Sequence, residues 1–291
     1  MRRFSSSRAS TVSPTALSPV ISNRAVSASP IFTLAILALA ILSTPLPALS
    51  QRVDAALLRP QATPAPSNIV IGFVGGFVSH DNLHHAPVQL ARQIRRTVPA
   101  DTYVEVFENR RRKLAYQTVI RLLDSNHDGI LSIEEKTAAR IILFGHSWGA
   151  AAAVLLARDL RREGVPVSLT VQVDSVAKIW QNDSVIPDNV ANAVNFYQPH
   201  GVIHGRARIT AADPARTEIL GNYRMDYRRN PVSCTDAPRW ERLFAPGHMQ
   251  SECDPRLWSQ VENLVRQQLS SQKTLPQTTT AAASAAILPQ P

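Results

Sequence analysis

Cysteine is nearly absent: the 291-residue chain holds two, Cys234 and Cys253. Two thiols are too few for a cysteine-based metal framework or for the dense cross-linking of a small disulfide scaffold, so a hydrophobic core must supply the stability. Also missing is any run of about 20 apolar residues, the length a membrane-spanning helix needs. No internal repeat is present, which excludes a solenoid or a propeller. The basic clusters "RQIRR" (92–96), "NRRRK" (109–113) and "YRRN" (227–230) lack interleaved aromatics and any nucleic-acid motif. They read as solvated faces, and no nucleic-acid partner is expected.

Acid is wholly lacking from residues 1–50, where Arg2, Arg3, Arg8 and Arg24 supply only positive charge. The apolar stretch "IFTLAILALAIL" (31–42) follows, and "STPLPALS" leads to the small-x-small site Ala48-Leu49-Ser50. Together these read as an export signal cleaved near Ser50, giving a periplasmic or secreted product with no stable membrane anchor. The Arg2-Arg3 pair lies too far from the apolar run to define a twin-arginine route. Removing the four arginines takes the net charge from +9 to +5. In an oxidising compartment Cys234 and Cys253 are expected to pair as a disulfide.

What is present is 44% apolar residues, an ordinary globular proportion. Residues 51–67 form a Pro/Ala-rich linker and 270–291 a low-complexity tail too polar to order itself, leaving 68–269 as the folded unit. Within it, apolar strand-like runs at 68–74, 102–108, 139–145, 167–174 and 192–198 alternate with helical patterns at 87–98, 113–124, 149–164 and 255–269. That alternation predicts an α/β fold, with a mainly parallel sheet covered by helices on both faces.

Between the third strand and its helix stands Gly145-His146-Ser147-Trp148-Gly149, a G-x-S-x-G motif. The pattern carries meaning where a strand runs straight into a helix, because small neighbours then let the serine sit on a tight turn with its hydroxyl projecting. On these residues the chain resembles the α/β-hydrolase family, lipase and esterase-like, over the whole of 68–269 and without a large lid domain. The resemblance implies a nucleophile at Ser147 and an acid and a histidine later in the chain. It also implies an oxyanion hole drawn partly from the loop after an early strand.

For that hole the candidates are the N–H of Trp148 and the turn "GFVGGF" at 72–77, with Gly76 and Phe77 as donors. His248, ahead of the closing helix, is the expected base, with His200 and His204 as rivals. Asp174 is the expected acid because it ends the strand after the elbow helix. Asp213 remains an alternative, since members of the family it resembles more often take the acid from one strand later, beyond Gln198, and Asp183 is a further possibility. His80, Asp81 and His84 are better read as site-edge or packing residues than as zinc ligands. Segments 181–193 and 201–222 are long enough to shade the site.

A second motif sits in the crossover before the elbow. Asp124, Asn126, Asp128, Ser132 and Glu135 place oxygens at positions 1, 3, 5, 9 and 12 of an EF-hand-like loop, with Gly129 at 6 and the carbonyl of Ile130 at 7. The same residues also suit an acidic, helix-capping loop that holds no ion. No second loop is available for pairing, and the ion would lie at the opposite end of a strand about 20 Å long from Ser147. Calcium is thus expected to be structural, and catalysis to need no cofactor. The function predicted is hydrolysis of a small-molecule or lipid ester, thioesters included, with no protein partner evident. The alternative is a non-catalytic calcium-binding scaffold or binding protein on the same fold.

Overall fold

In the first strand Ile69, Ile71 and Phe73 enter one hydrophobic layer while Val70 and Val74 enter another, and all five are buried. A strand with no wet face needs cover on both sides, the situation of a parallel sheet between helices. The computed structural model describes residues 64–235 and 245–270, and it has that architecture. The predicted signal and most of the linker and tail lie outside the described residues.

In chain order the strands are β1 (Asn68–Val74), β2 (Thr102–Glu108), β3 (Arg140–His146), β4 (Val167–Val173), β5 (Val185–Ile186), β6 (Val190–Tyr197), β7 (Thr210–Ala211) and β8 (Glu218–Arg224). The helices are α1 (Ala86–Arg95), α2 (Arg112–Leu123), α3 (Ile133–Lys136), α4 (Trp148–Arg162), α5 (Pro246–Cys253) and α6 (Pro255–Ser270). The main sheet runs β2-β1-β3-β4-β6-β8, and every neighbouring pair is parallel. On one face α2 and α4 pack through Ala115, Val119, Leu123, Leu156 and Leu160. On the other, α1 and α6 pack through Leu90, Ile94, Leu257, Val261 and Val265.

Two segments differ from expectation. The stretch 201–222, anticipated as cover for the site, contains β7 and most of β8, while 181–193 contains β5 and the start of β6. "EILGNYR" of β8 carries no continuous apolar run because it is an edge strand, largely half-buried or exposed, with a register shift against Ala193 and Val194. Edge strands lack the two-sided burial that makes the inner strands legible. His248 stands inside α5, a short helix ahead of the closing helix α6.

The order of strands puts β3 near the middle, between β1 and β4. All six point the same way, so the loops leaving β1, β3, β4 and β6 emerge along one edge. Among the described residues no helix is long and apolar enough to cross a membrane.

Candidate active site

Ser147 links β3 to α4 with φ 58° and ψ −128°, backbone values that a residue with a side chain adopts only under constraint. The constraint comes from both directions: the Ser147 N–H donates to Val173 O at 3.0 Å, and its carbonyl accepts from the Val176 N–H at 3.3 Å. Behind it, a Cβ on Gly149 would stand 2.3 Å from Phe73 O, so only glycine lets α4 close against β1. The small residues of the motif therefore set the distance between the helix and the sheet, and the serine is held at the edge.

The Ser147 Oγ lies 2.9 Å from His248 Nε2, and His248 Nδ1 lies 2.6 Å from Asp174 Oδ2. All three residues are buried. Asp174 follows β4 directly and has a positive φ of 41°, turned so that its carboxylate meets several donors. Oδ1 accepts the N–H groups of Gly205 (2.6 Å) and Gln198 (3.2 Å), and Oδ2 also accepts Gln198 Nε2 at 3.0 Å. Burial alone would raise its pKa, but hydrogen bonds from His248 and Gln198 and the charge of His248 hold it below the usual carboxylate range. A carboxylate so fixed stays ionised and fixes the orientation of the imidazole.

The turn after β1 stands against the serine: a Cβ on Gly75 would come 2.8 Å from Ser147 Cβ and 3.4 Å from its Oγ. Asn109 Nδ2 donates to Gly76 O at 2.6 Å, and Lys178 Nζ in turn donates to Asn109 Oδ1 at 2.8 Å. In a trans peptide the carbonyl and the following N–H point opposite ways, so the Phe77 N–H faces away from Asn109. The other expected donor, Trp148, is the first residue of α4, and its N–H is among those a helix leaves unpaired by its own turns. Phe77 and Trp148 pack edge to face, 5.6 Å between ring centroids, with Lys178 Nζ 4.8 Å above the Trp148 ring. Strongly exposed apolar side chains stand on three of the loops that leave this edge of the sheet: Phe77 after β1, Ile179 and Trp180 after β4, and Val202 after β6.

The remaining candidates stand elsewhere. Asp183 pairs with Arg206 Nε at 2.6 Å and accepts from Ser175 Oγ at 2.6 Å, while Asp213 caps the turn at Ala215. His200 faces Asp226 at 3.7 Å, and His204 contacts the Gly205 carbonyl. His80 meets Glu108 at 3.1 Å. Cys234 and Cys253 form a disulfide, Cα–Cα 5.6 Å, which ties the end of α5 to the segment after β8.

The loop at 124–135 has the turn that its sequence predicts, with Gly129 at φ 80° and its N–H donating to Asp124 Oδ2 at 3.0 Å. Asp124 Oδ1 is buried with no hydrogen-bond partner, which suits a cation ligand at the first position. Glu135 is already engaged: Oε1 accepts from Ser125 N–H, Ser125 Oγ and Asn126 N–H, and Oε2 from Ser132 N–H. Those bonds, with the Ser132 backbone donor foremost, pull its pKa down to about 2. Ser132 and Glu135 thereby make a capping box for α3. Among the described residues no group of three or more His, Cys, Asp and Glu is gathered as a metal cluster. The donor order fits calcium, but Glu135 would have to exchange its present bonds to complete the shell.

Three groups escape sequence reasoning. Gln198 and Asn109 act through partners far away in the chain, which no local spacing reveals. Glu252, four residues after His248, is buried beside His146, and "HMQSE" offers no sign of it.

No protein-family model matches the chain, and no curated protein does. Among solved structures, the RedJ thioesterase from the prodiginine biosynthetic pathway in Streptomyces coelicolor is 13% identical, covering 72% of this chain and 97% of that one at a TM-score of 0.34. A cutinase-like protein from Cryptococcus sp. is 11% identical, covering 72% and 98% at a TM-score of 0.33. Likeness at this level carries no argument about chemistry.

Proposed function

We propose that the chain is an exported serine hydrolase that cleaves carboxylic esters or thioesters. The reading rests on one observation, the buried hydrogen-bonded series from Ser147 Oγ through His248 to Asp174. His248 Nε2 takes the Ser147 proton as Oγ attacks the acyl carbonyl, and the positive imidazole is stabilised by Asp174. The tetrahedral oxyanion is held by the N–H of Trp148 and that of the Gly76–Phe77 peptide, whose carbonyl Asn109 anchors. Collapse expels the alcohol or thiol, protonated by His248. Water then enters by the same route, giving the acid and free Ser147. Exposed Phe77, Ile179, Trp180 and Val202 favour an apolar acyl or alcohol group.

The acid-free, arginine-bearing lead followed by an apolar run supports export, and the disulfide is in keeping with an oxidising compartment. The loop at 124–135 is read as a structural calcium site, with Asp124, Asn126, Asp128, the Ile130 carbonyl, Ser132 and Glu135 as ligands. There the ion would brace the crossover into β3 and take no part in the reaction.

A fluorophosphonate probe tests the central reading. It should label the wild-type protein and leave Ser147→Ala unlabelled; a folded wild-type sample that stays unlabelled would return the chain to the non-catalytic class. A series of esters of graded acyl length then defines the substrate.

A further inference from the structure

Behind His248 lies a second histidine–carboxylate series that the mechanism above does not use. His146, the residue before the serine, is buried, and its ring lies 4.6 Å from that of His248, tilted by 31°. Its Nε2 is 3.1 Å from Ser251 Oγ, and its Nδ1 faces Glu252 Oε2 at 3.4 Å. Glu252 is itself buried, and its other oxygen meets His85 Nδ1 at 2.8 Å. From outside inward the order is His85, Glu252, His146, His248.

Burial pushes His146 down to about 4, so at neutral pH its ring carries no charge to cancel that of Glu252. For Glu252, burial would raise the pKa, but it is held below the carboxylate range, with the 2.8 Å hydrogen bond and the charge of His85 on its outer side among the causes. The other titratable groups around this series are Asp174, facing His248 from the end of β4, and Tyr227, which lies under the charges of Asp254 and Asp174. Burial beside those charges raises Tyr227, so it stays neutral. The carboxylates that bear on His248 are therefore Asp174 at its edge and Glu252 behind its face, the latter paired on its outer side with His85.

We propose that Glu252 is a positioning residue for the reaction: acting through the neutral ring of His146, it supports the positive charge that forms on His248 when the serine proton is taken. A neutral aromatic ring pressed against a forming imidazolium is attractive in itself, and a carboxylate beyond it adds to that attraction in a poorly solvated interior. Fixed charge aimed at a centre that becomes charged only in the transition state lowers the barrier without tightening substrate binding. The inference rests on Ser147 being the nucleophile.

The test is the pH dependence of fluorophosphonate labelling in the wild-type protein, Glu252→Gln and Glu252→Asp. With Glu252→Gln, the limb on which the rate rises with pH should move to lower pH by roughly one unit. The plateau should fall about tenfold, the same free energy expressed as a rate. Glu252→Asp, which keeps the charge, should restore most of both. A Glu252→Gln curve that superposes on wild type in a sample with an unchanged melting profile overturns the inference. If that variant does not fold, ring-nitrogen NMR of the wild-type protein decides: His146 should remain neutral from pH 5 to 8, and its conversion to imidazolium in that range would overturn the inference. Absence of labelling in the wild type at every pH ends the nucleophile reading too, whereas normal labelling with an unmoved limb ends this inference alone.

Discussion

Gln198, the residue after β6, donates its side-chain N–H to Asp174 Oδ2 at 3.0 Å and its backbone N–H to Oδ1 at 3.2 Å. Its own Oε1 accepts the His200 N–H at 2.8 Å, so the amide has a single useful orientation. Asp174 is thus held just past the end of β4 and its carboxylate is aimed by the residue that follows the neighbouring strand. Gln198→Ala should lower kcat on a soluble ester by about 10 to 100-fold with little change in KM, the worth of a hydrogen bond to a charged group. A loss confined to KM would instead assign Gln198 to substrate contact.

Replacing the acids one at a time separates them. Asp174→Asn should cost on the order of 10³ to 10⁴ in kcat, because the imidazole loses both its orientation and its counter-charge. Asp213→Asn, which alters only a turn cap, should leave turnover within about twofold, a surface change of little energy. Asp183→Asn loses the Arg206 pair and should lower the melting temperature before it lowers the rate. Equal losses from Asp174→Asn and Asp213→Asn would remove Asp174 from the proposed series.

Gly149 is the tightest point of the elbow. Gly149→Ala pushes a methyl into the Phe73 carbonyl and should destabilise the fold by about 1 to 3 kcal/mol, read as a lower urea midpoint. An unchanged midpoint would mean that the contact between β1 and α4 relaxes without cost.

The loop at 124–135 should be felt in stability. Millimolar calcium should raise the melting temperature and a chelator should reverse it, while the rate of ester hydrolysis at 25 °C stays the same in both. A rate that follows calcium at constant stability would contradict a purely bracing role. Acid should also act here, since Glu135 drops from an ordinary 4.5 to about 2 on folding. Its stabilising contribution is complete above about pH 4.5 and is lost as the pH falls towards 2. Asp174, lowered on folding as well, adds in the same direction. In Glu135→Gln the acid-unfolding curve should flatten over that interval.

How much of this was legible in the sequence depends on range. The inner strands were readable because burial on two faces leaves a run of apolar letters, and the elbow because strand, serine and small residues lie side by side in the chain. β8 was not, since an edge strand with one covered side resembles a loop. α5 was missed because "PGHMQSEC" presents no apolar stripe, its buried residues including Gly247, His248, Ser251 and Glu252. The contacts of Asn109 with Gly76 and of Gln198 with Asp174 span 33 and 24 residues, and His146 reaches Ser251 across 105. Such meetings are made by the sheet order and leave no local trace. The loop at 124–135 stays double in meaning for a different reason: Ser132 and Glu135 suit a helix cap and a cation equally well.

His248 follows Ser147 by 101 residues and sits on the penultimate helix. A nascent chain emerging from the ribosome therefore presents its serine long before His248. Chains cut short between the end of β8 and Pro246 keep the sheet strands and the elbow yet lack His248, so under the proposed mechanism truncation there silences the product. The protein would remain inert during its own synthesis until almost the last of the folded residues had been added.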